Sequence, residues 1–169
     1  MNLFAERARW LERLRRDHAF PGAREAGVVL DASDGTLVEY VVGEEFSVSF
    51  DEAKLAIYDK LIVLHTHPTD NPANEWDWQW LAEHANVREF WVVAPTVTFS
   101  LIKPDAWRPA VFWIRTPFDD WQGHAMNLVV ERGFTSFSPP DDQEWASIET
   151  EANRRMARQF QMNFFEGTP

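Results

Sequence analysis

The stretch HTHPTDNPANEWD, residues 65 to 77, sets two imidazoles two positions apart and a carboxylate ten positions further on. Alternate residues of a strand share a face, so His65 and His67 can each present a ring nitrogen to one ion while Thr66 points away. Pro68 stops strand pairing and turns the chain, and Asp77 falls in the first turn of the helix expected to follow. Two imidazoles and a carboxylate are the three-ligand set of a catalytic zinc site, with a fourth position left for water. The same spacing also suits two histidines bonded to loop carbonyls and an aspartate that only caps a helix, so residue types alone leave both readings open. Asp70, inside the loop, is another carboxylate of ligand type, although its nearness to the histidine pair favours a turn-capping role. His18, His84 and His124 have no partner at metal-site spacing and read as surface or packed histidines.

Several elements must position these side chains. LIVLHTH (61 to 67) is a continuous apolar run ending in polar residues, as in a buried central strand whose C-terminal end opens on a cleft; the histidines are expected at that end and outside the core. Asn74 is a good N-cap, and the acids of EWDWQWLAEHAN predict a helix from about 75 to 86. Trp76, Trp78 and Trp80 cannot share one helix face, so some belong to the core while Trp76 or Trp80 walls the cleft. Upstream, Leu3, Phe4, Ala8, Leu11 and Leu14 give residues 2 to 18 the period of an amphipathic helix, ended by FPG. EAGVVLD and TLVEYVVG, joined by ASDG, read as a hairpin. Phe46, Val48 and Phe50 alternate as in a strand, and Asp51 can cap a short helix through Tyr58. REFWVVAP, VTFSLIKP and PAVFWIRTP read as three further strands. From a Ser138 cap, the tail through NFF reads as one long helix with Trp145, Ile148, Ala152, Met156 and Phe160 along its docking face.

The order of elements predicts an α/β (α+β) chain with a mixed sheet flanked by helices. Its 169 residues are the size of one domain, divided as an N-terminal helix (1–20), a core (23–118) and a C-terminal extension (119–169) ending in the long helix. The absence of cysteine excludes disulfides, thiolate metal sites and a thiolate nucleophile, so a metal here must use His and carboxylate. A net charge of -11 repels phosphate backbones, which argues against nucleic acid as the main partner. Six arginines against three acids make residues 1–24 basic, which suits either an acidic partner or the acidic body of the same chain. No apolar run reaches membrane-span length and no signal peptide is visible, so a cytoplasmic protein without membrane contact is expected.

HTHPTDNPANEWD resembles the signature of the JAMM (MPN/JAB) metalloproteases: His-x-His-Pro, a short loop, then Ser-x-x-Asp. The loop is about one residue shorter than the commonest form, as in some prokaryotic and phage-associated JAB-like domains. That family also carries a glutamate on an early strand with a glycine close behind, and REAGVVLD supplies Glu25 and Gly27 there. NVREFWVVAPTVTFSLIKP is similar to the hairpin that follows in JAB-like domains, so the resemblance covers about residues 23 to 104 and leaves both terminal helices unexplained.

The resemblance implies a JAB/MPN-like sheet, Zn²⁺ held by His65, His67 and Asp77, and Glu25 as general base for the attacking water and later proton donor to the leaving amine. It implies a zinc metallopeptidase or isopeptidase acting on a protein or peptide, with a ubiquitin-like C-terminal tail as one candidate, in a phage, toxin, defence or conjugation setting. One position departs from the pattern. Where the family has the serine that helps stabilise the oxyanion, this chain has Asn74, or Glu75 if the loop is aligned differently. An Asn amide can donate to the same place, and losing such a donor typically costs about 3 kcal/mol of transition-state stabilisation. Asp70 and Glu75 are candidates to occupy the fourth ligand position and hold the enzyme inactive, and Trp76 to contact substrate. Two rivals follow: an inactive JAB-like module that binds a partner through its terminal helices, and a different metal-dependent hydrolase, for instance on a phosphate ester.

Overall fold

In the computed structural model, which describes residues 2–105, 107 and 116–167, the chain forms a mixed α/β fold around a six-stranded sheet of order β2-β1-β3-β4-β5-β6. The elements are α1 (Leu3–His18), β1 (Ala26–Asp31), β2 (Leu37–Val42), α2 (Glu52–Leu55), β3 (Leu61–Thr66), α3 (Glu75–Glu83), β4 (Val87–Val93), β5 (Thr98–Ile102), α4 (Pro117–Glu131), α5 (Asp142–Gln159) and β6 (Asn163–Gly167). Among the described strands only the β3–β4 pair is parallel, because α3 is the crossover between them. The other neighbours run antiparallel.

Alternation along the strands splits the core into two layers. Ala26, Val28, Leu30, Ile62 and Leu64 face Trp10 and Leu14 of α1. Val29, Val63, Phe90 and Val92 face the other way, against α3, α4 and α5. By the same parity, Glu25, Gly27, His65 and His67 fall on the α3 side of the sheet, at the end where β1 begins beside the finish of β3. β3 is buried along its whole length, as its unbroken apolar run requires of a strand covered on both faces.

Both strands of the predicted hairpin form, as do α1, β3, β4, β5 and the Asn74-capped helix. Several details differ. Residues 43–50 form no strand, because Glu44 N donates to Ser47 O across a tight turn that takes the backbone out of any ladder. Gly43 is needed there: a Cβ would stand 2.0 Å from Ser47 O. The helix after Asp51 stops at Leu55 instead of reaching Tyr58, and α3 stops at Glu83 instead of residue 86. Phe4 is exposed, and Trp10 takes the buried place on α1. The strand expected over 109–117 lies largely outside the described residues; at its end Thr116 and Pro117 start α4, capped by the Thr116 hydroxyl.

The segment expected to be an extension after residue 118 is built into the same core. The Ser138 cap is replaced by Asp141, which forms a capping box with Glu144. α5 presents Ile148, Ala152 and Met156, all fully buried, with Phe160 at its end, as its periodicity predicts. It does not continue through NFF. Gln161 takes a φ of 55°, Met162 N bonds back to Ala157 O, and the chain turns into β6 against β5.

Candidate metal centre and its cavity

Each candidate ligand is placed by a local rule. Gly27 pairs with His65 across β1 and β3, and continuing that antiparallel register sets Glu25 opposite His67. The backbone of Glu25 is clamped on its other side: its N–H donates to Glu44 O and its carbonyl accepts from Gly43 N, both at 2.7 Å. Asp77 is the N3 residue of α3. Its Oδ2 accepts from Asn74 N at 2.8 Å, while Asn74 Oδ1 accepts from Trp76 N and Asp77 N. This capping box folds the Asp77 carboxylate back toward the end of β3.

The three side chains converge. His65 Nε2 and His67 Nε2 are 2.9 Å apart, and Asp77 Oδ1 and Oδ2 lie 3.4 Å from His65 Nε2 and His67 Nε2 respectively. The edge of a tetrahedron around an ion with bonds of 2.0–2.1 Å is about 3.3 Å, so the spacing fits a shared ion. Among the described residues these three form the group able to hold a metal ion. Both histidines are buried, at 3% and 6% exposure, so they belong to the core at the strand end instead of standing outside it. His67 Nδ1 lies 3.0 Å from Asn71 O; donating there makes Nε2 the nitrogen free to ligate. His65 Nδ1 is buried without a partner, and its ring leans on Phe90 at 4.9 Å between centroids.

Electrostatics separate the two imidazoles. Burial drives His65 down to about 4, against the pull of Asp77, so it is neutral at neutral pH as a ligand must be. Burial also opposes charging His67, but the Asp77 hydrogen bond and the charges of Asp77 and Glu25 outweigh it and raise the pKa. Glu25 is 8% exposed, and burial pushes its carboxyl up to about 7, with His67 pulling it down. A carboxyl with that poise beside a cation site suits proton transfer near neutral pH.

The group lies in a cavity of about 660 Å³ whose wall includes Glu25, Asn74 and both cleft-side tryptophans, Trp76 and Trp80, while Trp78 is buried in the core. The strap of residues 46–50 adds Phe46, Ser47, Val48 and Phe50 to the wall, with Phe50 over Gly27: a Cβ on Gly27 would meet that ring at 2.4 Å. Asp70 is turned elsewhere, giving one oxygen to Thr96 N and the other to the Thr96 hydroxyl. The Glu75 carboxylate lies 3.5 Å from Gln122 Nε2 on α4. His84 stacks on Trp80 and bonds Glu52, His18 meets Tyr40, and His124 meets Gln159.

Two supporting residues escape sequence reasoning. Asn153, fully buried on α5, donates to Ala73 O and Glu149 O and accepts from Trp78 Nε1, so it ties the ligand loop and α3 to α5. Lys103, 1% exposed, donates to Leu81 O and His84 O at the C-terminal end of α3 and lies 4.3 Å from the Trp107 ring. Burial lowers its pKa to about 7, and either protonation state retains donors for those carbonyls. A lysine closing the apolar run FSLI is the signal available for Lys103, whereas Asn153 lies among polar residues; apart from Glu149 O, one turn before Asn153, their partners are 19 or more positions away along the chain. Replacing Asn153 by Ala is expected to lower stability by about 2–3 kcal/mol, because buried donors and acceptors lose partners. Metal affinity should fall about 10- to 100-fold with it, as for other groups that orient ligands, and calorimetric metal titration beside thermal unfolding checks both.

The chain matches no family model, no curated protein and no solved structure. Among the described residues, no helix is long and apolar enough to cross a membrane.

Proposed function

We propose that the protein is a zinc-dependent hydrolase of peptide or isopeptide bonds, in which His65, His67 and Asp77 hold the ion and Glu25 is the general acid and base. The observation that carries this reading is the convergence of three ligand atoms at 2.9 to 3.4 Å with a buried carboxyl beside them on one cavity wall. Zinc bound there supplies a Lewis acid that polarises the scissile carbonyl and makes water acidic enough to be deprotonated near pH 7.

The chain's own groups account for the remaining steps. Glu25 accepts a proton from the attacking water and hands it to the leaving nitrogen as the bond breaks. Asn74 has its Oδ1 committed to the helix cap, which leaves Nδ2 as the donor for oxygen charge developing on the carbonyl. His67 keeps its ring orientation through Asn71 O. Trp76, 68% exposed, and Trp80 give an extended substrate flat surface to lie against. The resemblance of HTHPTDNPANEWD to the JAMM signature points to the same reaction, and a ubiquitin-like tail is one candidate substrate.

The test is metal content and turnover on protein purified without a metal-affinity tag. About one zinc per chain by plasma mass spectrometry is expected, together with cleavage of a mixed peptide pool that stops on chelation and returns with zinc. Failure to take up zinc, even after incubation with the ion, overturns the proposal. Zinc uptake with no cleavage of peptide or isopeptide substrates leaves a metal-bearing module and removes the hydrolase.

A further inference from the structure

The wall contributed by α3 continues beyond the metal group. Trp76, Gln79, Trp80 and Glu83 recur at helical spacing and all face the cavity, while Trp78, Leu81 and Ala82 are buried on the other side of the helix. Six residues separate Asp77 from Glu83, so the stripe runs about 9 Å along the helix axis away from the metal group. An extended peptide advances about 3.3 Å per residue, which puts Glu83 beside a side chain two or three residues from the cleaved bond.

The chemistry of that end is one-sided. Among the described residues that line the cavity there is no lysine or arginine, whereas Glu25, Asp77 and Glu83 all do. Gln79 donates its amide to Glu83, and its own Oε1 is buried with no partner. Trp80 has His84 stacked on it at 3.9 Å and Phe50 and Phe90 near it at 5.7 and 5.9 Å, so an aromatic wall stands next to Glu83. An aromatic wall beside an exposed carboxylate attracts a cation with several N–H donors.

Resting on the hydrolase reading, we infer that α3 forms a subsite for a lysine or arginine side chain two or three residues from the scissile bond, with the exposed Glu83 carboxylate as the acceptor and the aromatic wall around Trp80 beside it. The favoured substrate is therefore an extended segment with a basic side chain at that distance from the cleaved bond, and an acidic side chain there is disfavoured.

Binding can be measured apart from turnover. Fluorescent decapeptides of alanine, glycine and leucine, with one lysine, norleucine or glutamate moved along the chain, would be titrated by anisotropy against zinc-loaded full-length Glu25→Gln protein. At one register, the lysine peptide is expected to bind at least about tenfold more tightly than the glutamate peptide. Adding Glu83→Gln should reduce that ratio, and adding Glu83→Lys should invert it; Glu83 is exposed, so both variants should fold. A ratio near one, a lysine preference that survives Glu83→Lys, or no binding by any peptide overturns the subsite. Wild-type cleavage of the same peptides without charge preference would leave the hydrolase standing and remove the subsite. Charge-inverting binding with no cleavage by wild type would do the reverse.

Discussion

Glu25→Gln is expected to bind zinc as wild type does and to lose about 10²- to 10⁴-fold in kcat, the range associated with a positioned general base. The substitution keeps the shape of the side chain, and the backbone clamp from Gly43 and Glu44 does not depend on the carboxylate. What it removes is the ability to accept a proton beside His67 and Asp77. The amide also needs no desolvated charge, so burial that pushes the Glu25 carboxyl to about 7 no longer acts against it. The variant should therefore be at least as stable as wild type without metal. Single-turnover cleavage, plasma mass spectrometry and thermal unfolding on one preparation check the three parts. Unchanged kcat would exclude Glu25 as the base, and lost zinc would make it a ligand instead.

The parts of this site that were legible in the sequence are those fixed by local rules. A period-two histidine pair at the end of an apolar run, and an aspartate three residues after an Asn cap, need no knowledge of the rest of the chain. Convergence of the two required only that β3 and α3 be consecutive, which an uninterrupted short loop ensures. The strap departs from its own pattern: Phe46, Val48 and Phe50 alternate like a strand, but Gly43 and the Glu44–Ser47 bond turn the chain aside and leave Phe46 74% exposed. β6 was hidden by a helix stop at Gln161, a residue with φ of 55° that carries none of the usual glycine signature. α4 did carry a signal, Thr116 and Pro117 followed by Asp119 and Asp120, which is a helix start of ordinary kind. Asn153 and Lys103 were beyond reach, since their roles depend on which carbonyls the tertiary fold brings to them.

His65→Leu is expected to have opposite effects with and without metal. Wild type should gain stability from zinc by mass action, about 4 kcal/mol at a thousandfold excess over Kd, which for a chain of this size corresponds to a rise in Tm of about 10 °C. A leucine supplies no nitrogen, and with only two ligands left the zinc-dependent rise should vanish. In chelator, however, the wild-type imidazole is a liability. It is 3% exposed and its Nδ1 has no partner, and the hydrogen bond between its Nε2 and that of His67 at 2.9 Å offsets only part of that cost. A buried polar ring in that position costs stability that a leucine against Phe90 and Val63 would not, so the chelated variant should melt at or above chelated wild type. Thermal melts of both proteins in zinc and in chelator separate a ligand from a packing residue. A structural histidine would lower Tm equally under the two conditions when replaced, whereas a ligand kept at the expense of the fold gives a loss in zinc and none in its absence.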